Sequence, residues 1–119
     1  MTCPTAHVCV YFCNWIKPPH DKIALCICDT RNWFFWFNSK PALHGHGQLP
    51  VASGEHSAIT KDCFLDLSGL RSVSADELAK AQMRGAISDA LKARIVTALS
   101  VQIKPLPDAH RIVALNNLQ

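Results

Sequence analysis

Ile23-Ala24-Leu25-Cys26-Ile27-Cys28, then Asp29-Thr30-Arg31-Asn32, then Trp33-Phe34-Phe35-Trp36-Phe37: two apolar runs joined by a polar turn decide the fold class. Each run is too short for a stable helix and rich in the β-branched and aromatic side chains that suit a pleated surface. Asp, Thr and Asn between them are turn formers, so the segment predicts a β-hairpin. Ile23 to Cys28 has no polar interruption, the pattern of a strand buried on both faces or lining a small barrel.

Working outward, His7 to Cys13 has the same strand character. Pro18 and Pro19 lack backbone donors and fix φ, which makes Lys17 to Asp21 a loop. Pro41 to Gln48 has loop composition and is the most flexible candidate within the chain. Short strands are expected at Leu49 to Ala52 and at Cys63 to Val73, with Gly69 as a bulge or bend.

The C-terminal third reads as helix. Ser74 can accept from the amide of Glu77 while Glu77 reaches back to the amide of Ser74, and Val73 can pack on Leu78, a capping box with its hydrophobic staple. Gly85 is expected to end this helix in the left-handed conformation. Ser88 then caps a second helix with Leu91, Ile95 and Leu99 on one face, turned to the sheet or to a partner. Pro105 and Pro107 stop it, leaving a tail in which Ile112, Val113 and Leu115 can add an edge element. The chain therefore reads as a single α+β domain, residues 1–119: mainly β barrel over 7–73, two helices over 74–103 and a C-terminal tail over 104–119.

Composition sets the outer bounds. A chain of 119 residues with 49% hydrophobic and 18% charged side chains can bury a core and is too apolar for disorder. No apolar run approaches the roughly 20 residues that span a bilayer. The start Met1-Thr2-Cys3-Pro4-Thr5 lacks the regions of a signal peptide, so a cytoplasmic protein with reduced thiols is expected. The formal charge of +3 permits nucleic-acid contact without demanding it, because the basic residues are scattered.

Six cysteines and six histidines raise the question of a metal. There is no Cys-x-x-Cys knuckle, and Cys9-x-x-x-Cys13 has no His pair at the usual distance, so no metal is expected. Cys26 and Cys28 suit small core side chains, and His44-Gly45-His46 suits a solvated loop. Gly-x-Ser-x-Gly and Gly-rich phosphate loops are absent, as are the βαβ units that carry the latter.

Polar groups at strand ends remain. His20 and Lys22 precede the second strand, and Asn38 and Ser39 end the third; in a small barrel these ends come together and the four residues can share one site. Imidazole exchanges protons near neutral pH and an ammonium holds a phosphate oxygen, a combination suited to cleaving RNA through its own 2′-hydroxyl.

Phe64-Leu65-Asp66-Leu67-Ser68-Gly69-Leu70-Arg71-Ser72-Val73-Ser74, the capped helix, the turn Arg84-Gly85-Ala86-Ile87-Ser88 and the helix to Gln102 together resemble the end of the MazF/PemK toxins, of the Kid/CcdB barrel type. In that family a strand ending in a Gln-Ile-Arg-Thr-Val-like stretch leads to a short helix, a Gly-x-Leu-Ser-like turn and a final amphipathic helix. Ile23 to Cys28 stands at the family's Arg-Pro-x-Leu-Val strand and Trp33 to Ser39 at the strand ending in Thr-Ser, so the likeness runs from His7 to Gln102. The family's early Gly-Asp is missing, Asp21-Lys22 replaces its Arg-Pro, and Gly69 stands where Gln is common.

The resemblance implies an SH3-like barrel of about five strands with C-terminal helices. It also implies a homodimer, metal-independent and cofactor-free cleavage of single-stranded RNA, and neutralisation by an antitoxin. Lys22 then stabilises charge in place of Arg, Ser39 donates a hydrogen bond and His20 is the acid or base, with Asn38, Arg71 and Trp33 contacting RNA. The alternative is a non-catalytic barrel that binds a protein or a nucleic acid through Trp33, Trp36 and the loop from Pro41 to Gln48. Exposure of both indoles marks such a binding surface, and burial makes them core.

Overall fold

The computed structural model describes residues 3–119. The predicted hairpin forms between β2 (His20–Cys28) and β3 (Trp33–Asn38), antiparallel with Ile23 opposite Phe37 and Leu25 opposite Phe35. Asn32 closes its turn at φ +53°, a conformation that Asn tolerates better than most residues. On the other side of β2 lies β1 (His7–Cys13), with Val8 opposite Leu25 and Cys13 opposite His20.

β4 (Gln48–Val51) and β5 (Cys63–Asp66) extend the sheet beyond β3, while β6 (Arg71–Ser72) pairs with the other end of β3. The Cys63 to Val73 segment is therefore two short strands with a turn between them, rather than one strand with a bend at Gly69. Leu67 donates its amide to the Gly47 carbonyl, one step further along the β4–β5 pairing, before the chain turns towards β6.

Ser74 caps α1 (Ala75–Ala79) with both bonds of the box, 3.1 Å each way between the Ser74 and Glu77 backbone amides and the partner side chains. This helix stops well before Gly85. Gln82–Ala86 is instead a strand, β7, paired with β1. Gly85, at φ +90°, sits where the register slips between Val8 and Cys9, so its left-handed backbone serves a β-bulge and not a helix end.

Ser88 caps α2 (Asp89–Leu99), and Leu91, Ile95 and Leu99 are buried against the sheet as the spacing predicted. The expected tail is a third helix, α3 (Asp108–Leu118). Pro107 sits at its start, where a missing amide proton costs nothing. Ala114 and Leu118 are its buried residues, whereas Ile112 is 44% exposed, so no edge element forms from Ile112, Val113 and Leu115.

Six strands of a seven-stranded sheet run in the order β4-β5-β3-β2-β1-β7, with β6 paired to β3 off this path, and the two ends of the order do not pair with each other. Alternation along the central strands feeds two cores. Val8, Leu25, Ile27, Phe35 and Phe37 face α2 and α3. Cys9, Tyr11, Cys13, Ala24, Cys26, Phe34 and Trp36 face the other way, closed by Leu78 of α1 and Val73. No helix among the described residues is long and apolar enough to cross a membrane.

Candidate functional site

Lys22 and Asn38 lie side by side because the β2–β3 register, continued past Ile23 and Phe37, sets them opposite each other. The Lys22 ammonium donates to Asn38 Oδ1 at 2.7 Å. It also lies 4.6 Å from the centre of the Trp36 ring, and the Arg71 guanidinium lies 4.7 Å from the same ring. Neither cation has a carboxylate partner within ion-pair distance; the ion pairs among the described residues are Arg94–Glu55 and Arg111–Asp108.

Lys22 is only 8% exposed. Burial holds its pKa below the usual lysine range, and the Arg71 charge acts in the same direction against the opposing Asp66 carboxylate. Burial by itself would raise Asp66, but the Ser68 hydroxyl and amide, the Gln48 side-chain amide and Arg71 hold it below the usual carboxylate range. The Trp36 ring is fixed in turn, since its Nε1 donates to the Tyr11 hydroxyl at 2.7 Å and Trp15 lies against it with ring centres 5.4 Å apart.

The predicted strand-end residues meet. His20, Lys22, Asn38 and Ser39 line one cleft of about 520 Å³, whose far wall is the Ile59 to Cys63 segment. His20 is exposed, and its Nδ1 is 2.7 Å from the Pro18 carbonyl. A carbonyl only accepts, so Nδ1 carries a proton and, in the neutral ring, the free lone pair is on Nε2.

Lys40 and Lys61 line the same cleft and had not been singled out. Lys40 adjoins Ser39 and could have been read as its neighbour; Lys61 comes from a loop whose destination no local pattern reveals. Arg71, expected to contact RNA, does not line the cleft; it lies over the Trp36 ring that Lys22 also approaches.

No family model, curated protein or solved structure matches this chain. What the site can do rests on its own geometry: two unpaired cations held around one indole, an oriented imidazole and a hydroxyl at the strand ends.

Trp33 is not part of this site. It packs against His110 of α3, the rings tilted by 51° with centres 4.8 Å apart, and lies under Arg31 on the helical side of the sheet. Trp36, three residues on, belongs to the opposite core and is 7% exposed. Side chains three apart in a strand point to opposite faces, so these indoles cannot form one binding surface.

The Pro41 to Gln48 loop is tied down by Gln48, which accepts from the Ala42 amide and donates to the His46 carbonyl, both at 3.0 Å. Within it the His44 and His46 rings stack 5.5 Å apart. No group of three or more His, Cys, Asp or Glu side chains among the described residues is placed to hold a metal ion.

Proposed function

We propose that this domain is a metal-independent endoribonuclease of the toxin type, cutting single-stranded RNA through its own 2′-hydroxyl in the cleft at the ends of β2 and β3. The observation that carries the reading is the meeting of His20, Lys22, Asn38 and Ser39 in one cleft, with Lys22 buried and without a carboxylate partner. A buried ammonium close to a guanidinium is relieved by an incoming anion, and a phosphodiester supplies one.

In this mechanism His20 Nε2 takes the proton from the 2′-hydroxyl, whose oxygen attacks the adjacent phosphorus. Lys22, with Arg71 nearby, stabilises the charge that builds on the non-bridging oxygens. Ser39 donates to the phosphate and Asn38 holds the Lys22 ammonium in position. The P–O5′ bond breaks, the 5′-oxygen takes a proton from solvent water, and the products are a 2′,3′-cyclic phosphate and a 5′-hydroxyl. No metal or cofactor enters.

An SH3-like description of the sheet, a homodimer, neutralisation by an antitoxin peptide and a cytoplasmic location belong to the same proposal and rest on the resemblance of His7 to Gln102 to the MazF/PemK toxins.

The test is a time course on mixed single-stranded RNA, with and without chelator, with single-stranded DNA as control. Cleavage is expected to survive the chelator, to spare DNA and to leave cyclic phosphate ends. Lys22→Met is expected to slow it on the order of 10²-fold, as for loss of one charge-stabilising group. His20→Gln should flatten the pH dependence. Intact RNA after incubation with well-folded wild-type protein would remove the catalytic reading and leave a cationic binding cleft.

A further inference from the structure

A second concavity lies beside β1, lined on a different set of residues apart from Asp21, which forms the ridge between the two. Its origin is topological. β7 begins at Gln82, opposite Val10, while β1 continues to Cys13. Beyond Val10 the outer edge of β1 therefore has no strand partner among the described residues. The chain that precedes β7 leaves the sheet plane as α1 and walls a groove of about 540 Å³ where the continuation of β7 would have run.

Phe12 and Trp15 are 57% and 58% exposed on this groove, among the few large apolar side chains left in water. Around them stand the carboxylates of Asp21, Asp76 and Glu77, against the single ammonium of Lys80. The rim is thus acidic on a chain whose formal charge is +3, and it repels a polyanion.

We propose that this groove takes an extended, basic peptide segment of a partner protein, added as a short strand to the free edge of β1. Backbone hydrogen bonds to the Tyr11–Cys13 edge give the segment its direction. Phe12 and Trp15 receive an apolar side chain, and Lys or Arg side chains on either side of it pair with the carboxylates of α1 and Asp21. The free edge is about 10 Å long at ~3.3 Å per residue, so three or four residues of the segment pair directly.

The experiment uses the full chain and three synthetic nine-residue probes, followed by calorimetry and by hydrogen exchange of the Tyr11, Phe12 and Cys13 amides. One probe alternates Lys with Leu and Phe, one replaces every Lys with Glu, and one is the Lys probe with alternate backbone amides methylated. The Lys probe is expected to bind and to protect at least one of those amides. The Glu and methylated probes are expected to bind at least tenfold more weakly, and Phe12→Thr and Asp76→Asn to weaken the Lys probe severalfold without altering the circular dichroism spectrum. Equal binding of the methylated probe would overturn strand addition. Equal binding of the Glu probe would overturn the charge complementarity, and no binding of any probe would overturn the site. Self-association of the chain that disappears in Phe12→Thr would replace the peptide by a second copy.

Discussion

Lys22 shows what a buried cation costs the fold. Its ammonium is buried beside Asn38 and Trp36, and burial lowers its pKa from the ordinary value of 10.5. Below its folded-state pKa, Lys22 is charged in both states and the desolvation penalty is constant. Between that pKa and 10.5 the unfolded chain holds more protons than the folded one, so stability rises with pH in this window and the penalty is relieved. Lys22→Met is therefore expected to be at least as stable as wild type at pH 7, and this advantage should shrink as the pH approaches 10.5. Urea midpoints of both proteins across that range measure it; a variant clearly less stable at neutral pH would show that the ammonium stabilises the fold. Asn38 and Ser39 were legible as strand-end residues that can share a site with Lys22, but the Lys22–Asn38 hydrogen bond was not, because it joins residues 16 apart.

At the scale of elements, local chemistry succeeded at helix starts and failed at helix ends. Ser74 and Ser88 both cap as their sequences imply, because a capping bond spans only three residues. Ser74→Ala is expected to cost about 1 kcal/mol in chemical denaturation, with α1 fraying. Gly85 was misread because its left-handed backbone is compatible with a helix end and with a bulge alike. The choice was made by β1, whose outer edge at His7–Val10 takes Gln82–Ala86 as a partner. An added Cβ at Gly85 meets nothing within 4 Å, so Gly85→Ala carries only the conformational strain, about 1–2 kcal/mol. A midpoint equal to that of wild type would mean that the bulge does not need a left-handed residue. For α3, the apolar run Ile112-Val113 suggested a strand, while the stripe that packs is Ala114 and Leu118, four apart.

For the whole molecule, the open sheet is held in its curve by a clasp that is not a strand pair. The loop after β4 crosses to β7 at the other end of the sheet order, where the buried His56 places Nε2 3.1 Å from the Gly85 carbonyl and accepts the Ala58 amide on Nδ1 at 3.0 Å. Arg84 reaches the Ser57 carbonyl from the facing side. His56→Ala leaves the Ala58 amide and the Gly85 carbonyl without these partners and is expected to destabilise the domain by about 1–3 kcal/mol. A thermal midpoint that does not move would show the clasp to be dispensable. The thiols are mostly shielded: five of the six cysteines are buried and Cys63 is half-buried. Hydrogen bonding to Cys3 and burial push the Cys9 and Cys26 thiols up while the same bonds hold Cys3 down, so burial rather than thiolate content decides which thiols a reagent reaches. An aromatic disulfide reagent is expected to titrate no more than Cys63 rapidly in the native protein and all six in denaturant. Fewer than six after denaturation without reductant would reveal disulfides.

The sequence by itself determined the central hairpin, the first strand, both serine caps, the Leu91-Ile95-Leu99 stripe and the cluster of polar residues at the strand ends. All of these depend on neighbours within a few positions or on strand alternation, so pattern and propensity suffice. Only the tertiary structure decided that Gln82–Ala86 is a strand, that the C-terminal segment is a helix, and that Trp33 and Trp36 part company across the sheet. It also decided that the sheet stays open with His56 as its clasp, and that Lys61 joins Lys22 in lining the cleft. Those outcomes depend on which surfaces are left to bury once the first strands have paired, and a linear pattern does not record that competition.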